Sequence, residues 1–551
     1  MRDRGGDRQR DRGGGRAGQS PNRIAAGLQR APEAACEPTA ACEPRAPSEP
    51  EAPSQASAAR QPNAPPRARC EFFLTRKRRR CGMTRQAAMP YCSEHMAQVA
   101  GDGGGGSGDA GVRADPRGRR VPCPLDPRHT VWERDVARHT RRCNRAKEAA
   151  EQRARALDPA AAPWYAPGLN AQVASENDAP VENDAPVAVA AEVAHAANAA
   201  VLRALPVLRR VYAQHFADRP LPLQVRADDG VVQRRFPQLA NRKHAVQQAS
   251  LIQHMREAGL LESAPAAGAT TFIEFGCGRA ELSRYVSQSV AGSACGSERG
   301  SERGSERGSE RGPAPAPAPP PCFVLVDRAS NRMKFDSKFA EDWAAIRGGG
   351  PAPRVCRRKV DIRDLRIDAL LEPGAGPAAA EPAEAAAPGA PAPADCVAIS
   401  KHLCGVATDL TLACVLNSRQ LHAPHRRLRG MVIAMCCRHV CDARQYANPE
   451  FIRGLIAGDD VGYPEFFLAL KKIASWAVCG RRAGVADHDV SQHFTGLPVV
   501  QREQLGEMAR RIIDEGRAQL LRDRGYAVSL VRYVGREVSL ENVAMVVKER
   551  T

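Results

Sequence analysis

The stretch TFIEFGCGRAELSRYVS, Thr271–Ser287, runs from an apolar segment through Gly276 and Gly278 into residues with helical spacing. Similar apolar runs alternate with helical patterns as far as the carboxyl terminus: FIEF, CFVLVD, DCVAIS, GMVIAMC, YAVSLVRYV and NVAMVVK. This alternation predicts an α/β fold with a mostly parallel sheet covered by helices. The glycines let the backbone approach a ligand, and the amino end of the next helix points toward it. The stretch therefore predicts a nucleotide-like ligand beside the first strand.

The acidic residues around this turn distinguish two kinds of ligand. A dinucleotide site has a third glycine in GxGxxG, but Glu281 stands at that position. An acid that binds ribose hydroxyls is expected about 20 residues after the glycines. Asp327, in FVLVDRAS, lies 49 positions after Gly278, and removal of the 31-residue low-complexity insert 291–321 leaves 18. The sequence therefore disfavours a dinucleotide and keeps Asp327 as the ribose ligand.

The segment CPLDPRHTVWERDVARHTRRC carries four potential zinc ligands, Cys123, His129, His139 and Cys143. Zinc takes four thiolate or imidazole ligands in a tetrahedron, and this set supplies them. His139 and Cys143 lie at i and i+4, so a helix presents both to one ion. A helical hairpin with incidental cysteines and histidines is the alternative. The segment resembles the CHHC-type fingers of certain RNA-associated proteins.

A second ligand set lies upstream in CEFFLTRKRRRCGMTRQAAMPYCSEH: Cys70, Cys81, Cys92 and His95. Three thiolates and one imidazole predict another structural zinc site, and a loop with spare thiols is the alternative. The run RKRRR, 76–80, lies between the ligands and favours phosphate contact, although a nuclear import signal would use the same residues. The aromatic residues predicted to stack on RNA bases are Phe72, Phe73 and Tyr91.

Charge and composition limit the classes of protein. The formal charge is +18, and residues 61–150 hold 19 Lys+Arg against 9 Asp+Glu. Such an excess implies an anionic partner, most often a polyphosphate backbone. No apolar run reaches about 18 residues and the start MRDRGGDRQRDRGGGR lacks an apolar core, so we expect neither a membrane span nor a secretory signal. The 18 cysteines then favour metal sites and free thiols over disulfides.

Glu274 with the glycine turn, followed by Asp327, resembles the S-adenosylmethionine site of Rossmann-like class I methyltransferases. The resemblance implies that Glu274 orients the methionine end of the cofactor, that Gly276 and Gly278 pass beside it, and that Asp327 takes the ribose. In VDIRDL, Asp361 or Asp364 is placed to contact the adenine. A glycine turn in an α/β scaffold that binds no cofactor is the alternative.

Four more segments lie where this fold exposes its active edge or just before the cofactor strand: KHAVQQASLI (243–252), SKHLCG (400–405), MCCRHVC (435–441) and SLENVAM (539–545). Together with the fingers they resemble the eukaryotic tRNA 2'-O-methyltransferases that modify nucleotide 4 of the acceptor stem. The resemblance implies methyl transfer from S-adenosylmethionine to a tRNA ribose, two structural zinc ions and an intracellular location, nuclear or cytoplasmic. Neither the motifs nor the resemblance identifies a stable protein partner.

The resulting domain prediction combines these motifs with the Gly-, Pro- and Ala-rich tracts. The predicted segments are a disordered region 1–65, a CCCH-type finger 66–98, a Gly-rich linker 99–119, a CHHC-type finger 120–147, a disordered linker 148–198, and a methyltransferase domain 199–551 with low-complexity inserts at 291–321 and 371–394.

A ribose hydroxyl is a weak acid, so its methylation needs a group that takes the proton. Lys401 and His402 are the first candidates and His439 is the second.

One alternative is an RNA cytosine-C5 methyltransferase that attacks the base with a cysteine, disfavoured because no acid-Pro-Cys grouping exists. A metal site formed by the cysteines and histidine of MCCRHVC is disfavoured by crowding. The remaining alternative is a non-catalytic zinc-finger RNA-binding protein with a vestigial methyltransferase fold.

Overall fold

The computed structural model describes three parts of the chain. They are residues 69–95 with gaps at 75–78, 82, 84–89 and 93–94; residues 120–172; and residues 187–550 with gaps at 236, 238, 240–241, 262–268, 301–318, 332–333, 372–393, 424–425, 480–485 and 491–492. The predicted disordered start, the Gly-rich linker and most of both inserts lie outside the described residues. The chain divides into two compact units, residues 1–96 and 97–551, which are described separately.

The first unit contains a small antiparallel hairpin. Its strands are β1 (Phe73–Leu74) and β2 (Arg79–Arg80), with Phe73 opposite Arg80. The hairpin brings Cys81 back beside Phe72, whose carbonyl accepts a hydrogen bond from the Cys81 N–H at 2.8 Å. Its core consists of the three finger cysteines with two aromatic rings.

The described strands of the second unit form a finger hairpin and a seven-stranded sheet. They are β3 (Arg120–Cys123), β4 (Asp126–Trp132), β5 (Thr271–Phe275), β6 (Cys322–Asp327), β7 (Arg354–Lys359), β8 (Ala394–Cys404), β9 (Arg426–Cys436), β10 (Tyr526–Arg532) and β11 (Val543–Glu549). The large sheet has the order β10-β11-β9-β8-β5-β6-β7, and its only antiparallel pairings among the described strands involve β11. The mostly parallel sheet predicted from the apolar runs is therefore confirmed.

The described helices cover the sheet or extend from it. They are α1 (Val136–Thr140), α2 (Asn144–Leu157), α3 (Val187–His215), α4 (Asp229–Arg235), α5 (Lys243–Glu257), α6 (Glu281–Gly300), α7 (Lys338–Arg347), α8 (Asp368–Leu371), α9 (Val406–Leu416), α10 (Pro449–Leu455), α11 (Tyr463–Cys479) and α12 (Val499–Asp523). None of the described helices is both long enough and apolar enough to cross a membrane.

Side chains alternate between the two faces of the sheet along each strand, and both faces are buried. Phe272 stacks on Phe323 with ring centroids 5.3 Å apart on one face, while Ile273 and Val324 belong to the core on the other. A third core joins α3, α11 and α12. Strand order reverses between β5 and β8, and ligands of open α/β sheets bind at the carboxyl ends of strands at such a point.

The predicted disordered linker 148–198 is wrong over much of its length. Residues 148–157 belong to α2, residues 158–172 pack on the methyltransferase domain, and α3 begins at Val187. The side-chain amide of Asn170 donates to the carbonyls of Ile362 and Leu365 at 2.6 and 2.7 Å. Alanine-rich composition looks like a linker, yet alanine is also the best helix former, and here tertiary contacts hold the chain.

The first insert also begins later than predicted. Helix α6 continues to Gly300, so residues 291–300 extend the helix, and Ala291 is fully buried. Because helical spacing continues through Ala291, the expansion starts beyond it. Residues 301–318 lie outside the described part.

Candidate active site

The glycine turn after β5 adopts backbone angles that explain its composition. Gly276 and Gly278 have φ values of 64° and 52°, in the left-handed region that favours glycine. A Cβ at Gly276 would lie 3.1 Å from the carbonyl oxygen of His402, so the turn fits closely against the end of β8. Ala280, with φ of 64°, is one of two non-glycine residues with positive φ in the described chain. Strain of this kind concentrates at functional sites.

Asp327 meets the glycine turn in space, although 48 residues separate it from Gly278 in the sequence. Its Oδ2 accepts a hydrogen bond from the N–H of Gly278 at 2.7 Å, and its Oδ1 accepts one from Ala329 at 2.7 Å. The carboxylate lies at the end of β6, directly beside β5. The two features that the sequence paired are thus in direct contact.

Arg357 also binds the glycine turn and was not identified from the sequence. Its guanidinium donates to the carbonyl of Gly278 at 2.8 Å and to Sγ of Cys277 at 2.9 Å, while Asp336 binds its other nitrogens at 2.7 Å. Arg357 lies in RVCRRK, an ordinary basic strand in sequence, so only the sheet order brings it to the turn.

A cavity of about 890 Å³ opens above these residues at the reversal of strand order. All five predicted cofactor residues line it: Glu274, Gly276, Gly278, Asp327 and Asp361. This volume lies within the range of small-molecule sites. Burial raises the pKa of the Glu274 carboxyl to about 7, and Ser283 donates to its Oε2 through both N–H and hydroxyl. The carboxyl groups in this lining fit a cationic nucleoside such as S-adenosylmethionine.

The structure separates the two acids of VDIRDL. Asp361 lines the cavity and accepts a hydrogen bond from the N–H of Arg363 at 3.0 Å. Asp364 is not among the lining residues; its carboxylate accepts the N–H of Gly168 at 2.8 Å and so anchors the segment 158–172. Of the two, only Asp361 is in position to meet an adenine.

Lys401 and His402 both line the cavity, although consecutive strand residues normally point to opposite faces. A register shift between Ser400 and Leu403 in the pairing of β8 with β9 forms the irregularity that permits this. Lys401 is 5% exposed, and its Nζ donates to Nδ1 of His244 at 3.0 Å. His244 comes from KHAVQQASLI on α5, so that motif also reaches the cavity.

The surroundings of Lys401 lower the pKa of its amine. Burial lowers the pKa of its amine to about 8, against the opposing pull of Glu281. Desolvation and the charge of Lys401 lower the pKa of His402 to about 4, and Lys401 likewise lowers the pKa of His244. Glu281, in place of the third glycine, pairs with Arg235 at 2.6 Å and accepts from Gln248 at 3.0 Å.

His439 does not join this group. The positive φ of Cys437 turns the chain after β9 into a short 3₁₀ turn, which places Val440 rather than His439 against the cavity. Within the described part of the chain, Nδ1 of His439 is buried without a hydrogen-bond partner. His439 is therefore not in position to act as the base, contrary to the expectation from the sequence.

The SKHLCG and MCCRHVC motifs bring cysteines close together beside the cavity. Cys404 lines the cavity at the end of β8, and its Sγ lies 3.3 Å from Sγ of Cys436 at the end of β9. Cys441 stays apart, with Arg517 donating to its sulfur at 3.1 Å. The cysteines and histidine of MCCRHVC therefore do not form a metal site by themselves.

In the first unit, Cys70, Cys81, Cys92 and His95 bring their ligand atoms within 4.8 Å of one another. The Nδ1 of His95 lies 3.4 Å from Sγ of Cys70 and 3.3 Å from Sγ of Cys92. Phe72 stacks on the His95 ring at 4.0 Å and meets Tyr91 edge-on at 5.9 Å. These two half-buried rings pack on the ligand site, and their stacking on RNA bases stays a prediction. The side chain of Phe73 and most of RKRRR lie outside the described residues.

In the second unit, Cys123, His129, His139 and Cys143 also gather within 4.8 Å. The sulfurs of the two cysteines are 3.8 Å apart and the Nε2 atoms of the two histidines 3.0 Å apart. The predicted i, i+4 placement is visible in the hydrogen bond from Cys143 N–H to the His139 carbonyl at 2.7 Å. Asp126 lies 3.8 Å from Nδ1 of His129, which leaves Nε2 directed at the metal position.

Comparisons with known proteins agree with this geometry. A family model described as Methyltransferase TRM13 matches residues 246–548, more than half of the chain. The chain belongs to the TRM13 methyltransferase family. Models described as the CCCH zinc finger in TRM13 protein and the U11-48K-like CHHC zinc finger match residues 68–96 and 120–144. The TRM13 family, both zinc fingers and zinc as a cofactor, all predicted from the sequence, are confirmed.

Several relatives carry the name tRNA:m(4)X modification enzyme TRM13. The protein of Eremothecium gossypii is 45% identical over 88% of this chain and 96% of its own length. Those of Kluyveromyces lactis and Saccharomyces cerevisiae are 38% and 36% identical, over 87% and 88% of this chain and 95% and 96% of theirs. Among solved structures, the plantazolicin methyltransferase BpumL with SAH aligns at 9% identity over 66% of this chain and 99% of its own; its TM-score of 0.22 carries no inference.

Proposed function

We propose that this TRM13 protein transfers a methyl group from S-adenosylmethionine to the ribose 2'-hydroxyl of nucleotide 4 in the tRNA acceptor stem. The observation that carries the proposal is the position of Lys401: a buried amine with a lowered pKa, in the same cavity as the five cofactor residues. The name of the relatives supports tRNA as the substrate, while nucleotide 4 and the 2'-hydroxyl follow from the resemblance of the sequence motifs.

Three acids of the cavity suit the three parts of the cofactor. In this proposal Asp327 accepts hydrogen bonds from the ribose hydroxyls, Asp361 contacts the adenine, and Glu274 lies beside the methionine part. All three acids line the cavity. The glycine turn keeps side chains away from the space between them, since nothing lies within 4 Å of a Cβ built at Gly278. S-adenosylmethionine, when bound, supplies a methyl group on a sulfonium and retains the electron pair of the broken carbon–sulfur bond.

Lys401 is the proposed general base. In its neutral form, Nζ has a lone pair that takes the hydroxyl proton as the ribose oxygen bonds to the methyl carbon. His244 fixes Nζ through their 3.0 Å hydrogen bond. A sulfonium bound in the cavity would favour the neutral amine further. His402, exposed to the cavity, is in position to contact the ribose or its phosphate.

The CHHC finger is the described element best suited to hold the RNA. Helix α2 follows the finger directly, has no buried residue, and leads into the segment docked on residues 362–365 beside the cavity. Lys359 of β7 pairs with Glu151 of α2 at 2.8 Å. Arginines at 138, 141, 142 and 145 are exposed along this path and match a phosphate backbone.

The test is methyl transfer from labelled S-adenosylmethionine to a tRNA transcript, followed by nucleoside analysis. The proposal predicts a 2'-O-methylnucleoside, whose 3' linkage resists alkaline hydrolysis. A product of 5-methylcytidine, lost in Cys404→Ser, would instead support the cysteine mechanism. Binding of tRNA without any methyl transfer, unchanged by Asp327→Ala, would support the non-catalytic alternative.

A further inference from the structure

Three cysteines that neither finger uses lie together, and one of them, Cys404, lines the cavity. The sulfurs of Cys404, Cys436 and Cys437 lie within 4.8 Å of one another, as do the ligand atoms of each finger. Cys436 is buried, Cys437 is half-buried, and Cys404 is exposed to the cavity. Two of them are neighbours in sequence, and the third is more than 30 residues away.

The backbone is bent so that the neighbouring cysteines face the same point. Consecutive residues of a strand point to opposite faces, but Cys437 has φ of 49° in the left-handed region. A non-glycine residue in that region is strained and persists where surrounding contacts impose it. Here Glu541 accepts the N–H of Cys437 at 2.9 Å and pairs with buried Arg438. The SLENVAM motif thereby fixes the cysteine loop.

The sulfur spacing matches a metal site better than a disulfide. Sγ of Cys404 and Sγ of Cys436 are 3.3 Å apart, whereas a disulfide bond is about 2.05 Å long. Thiolates about 2.3 Å from a tetrahedral zinc ion lie about 3.8 Å from each other. The two sulfurs of the CHHC finger, 3.8 Å apart, give the same spacing within this chain.

We propose that Cys404, Cys436 and Cys437 bind a third zinc ion. Three thiolates are a soft ligand set that suits Zn²⁺. Because Cys404 lines the cavity, the fourth tetrahedral position opens toward it and takes a water or another oxygen ligand, as in zinc sites with three protein ligands. The ion ties the end of β8 to the end of β9. The site does not depend on the proposed methyl transfer.

Zinc content of the purified full-length chain, measured by mass spectrometry of the metal, tests this site. We expect about three zinc ions per chain in the wild type and about two in Cys404→Ser and in Cys437→Ser. Cys356→Ser, a half-buried cysteine of β7, is the matched control and keeps three. Cys143→Ser lowers the zinc content by one ion, because it removes a ligand of the CHHC finger. The double variant with Cys404→Ser lowers it by two. A wild type with two ions that Cys404→Ser does not reduce would overturn the proposal.

Cobalt substitution keeps the test decisive if a variant folds poorly. Cobalt-loaded wild type is expected to show thiolate-to-cobalt absorption for eight cysteine ligands, five from the fingers and three from this cluster. Cys404→Ser, at an exposed position, lowers that absorption while circular dichroism stays unchanged. A chain mass lower by two hydrogens would instead indicate a disulfide. If a reductant restored the mass and peptide mapping placed the bond between Cys404 and Cys436, the zinc site would be overturned.

Discussion

Lys401 shows how a single side chain acquires a role from its surroundings. Burial lowers the pKa of the amine to about 8, while the groups around it oppose one another: Glu281 and Glu274 favour the charge, and Arg235 disfavours it. His244 and His402 also line the cavity, with ring centroids 6.1 Å apart. About a tenth of such an amine is neutral at pH 7, enough for a base that operates near neutral pH.

Replacement of Lys401 is expected to remove proton transfer and keep cofactor binding. Lys401→Met lowers kcat by about 10²- to 10⁴-fold, the usual contribution of a general base. The wild-type rate rises with pH and levels off above about 8, because only the neutral amine accepts a proton. Lys401→Arg keeps the positive charge but loses this rise, since arginine stays protonated. A pH profile of Lys401→Arg that matches the wild type would exclude Lys401 as the base.

Asp327 and Asp364 form a matched pair of acids with different expected roles. Asp327→Asn weakens S-adenosylmethionine binding by about 10- to 100-fold, the range for one charged hydrogen bond. Asp364→Asn leaves that affinity unchanged, because Asp364 binds the N–H of Gly168 outside the cavity. Isothermal titration calorimetry measures both constants. Equal losses in the two variants would contradict the assignment of Asp327 to the ribose.

The segment between the CHHC finger and α3 is an element whose order comes from distant contacts. Asn170 lies almost 200 residues before its partners Ile362 and Leu365. Tyr165 forms an isolated bridge with Leu365, and Trp164 packs against the core below. The segment carries α2 and the finger to the edge of the sheet next to Asp361.

Loss of the Asn170 amide is expected to loosen this segment. Asn170→Ala leaves the two carbonyls without that donor and lowers the free energy of unfolding by about 1–3 kcal/mol. Gln172→Ala, an exposed amide in the same segment, changes it by less than about 0.5 kcal/mol because water replaces its contacts. Urea denaturation of both variants gives the comparison. Equal stability of the two would show that the docking of 158–172 contributes nothing.

Prediction from the sequence succeeded where the pattern is local and failed where partners are distant. The turn at Gly276 and Gly278 has a local cause, positive φ, and Asp327 follows from strand order once the insert is removed. Arg357 and Asn170 look ordinary in sequence, since their roles depend on contacts that only the folded sheet provides. Alanine-rich stretches misled the boundary at 148–198 because the same composition serves linkers and helices.

The whole chain joins a methyltransferase domain to two zinc fingers with a basic surplus. Separate tasks are expected: the domain binds the methyl donor, and the CHHC finger with α2 holds the RNA. None of the described residues of the CHHC finger lines the cavity. Changes in the finger should therefore affect RNA binding and leave the cofactor site intact.

Disruption of the CHHC finger is expected to raise the KM for tRNA selectively. Cys143→Ser removes one zinc ligand, and KM rises by about tenfold or more, equivalent to about 1.4 kcal/mol of binding. The dissociation constant of S-adenosylmethionine stays at the wild-type value. His195→Ala, an exposed histidine of α3, is the control with unchanged KM. Steady-state kinetics with a tRNA transcript measure the effect, and an unchanged KM in Cys143→Ser would separate the finger from substrate binding.

Methyl transfer to tRNAs with a single 2'-deoxynucleotide tests the central claim most directly. The wild-type protein is given labelled S-adenosylmethionine and three otherwise identical tRNAs, with the 2'-hydroxyl removed at nucleotide 3, 4 or 5. The account predicts methylation of the first and third and none of the second, because only the second lacks the acceptor oxygen. Methylation of the tRNA that lacks the hydroxyl at nucleotide 4, at the rate of the other two, would contradict it.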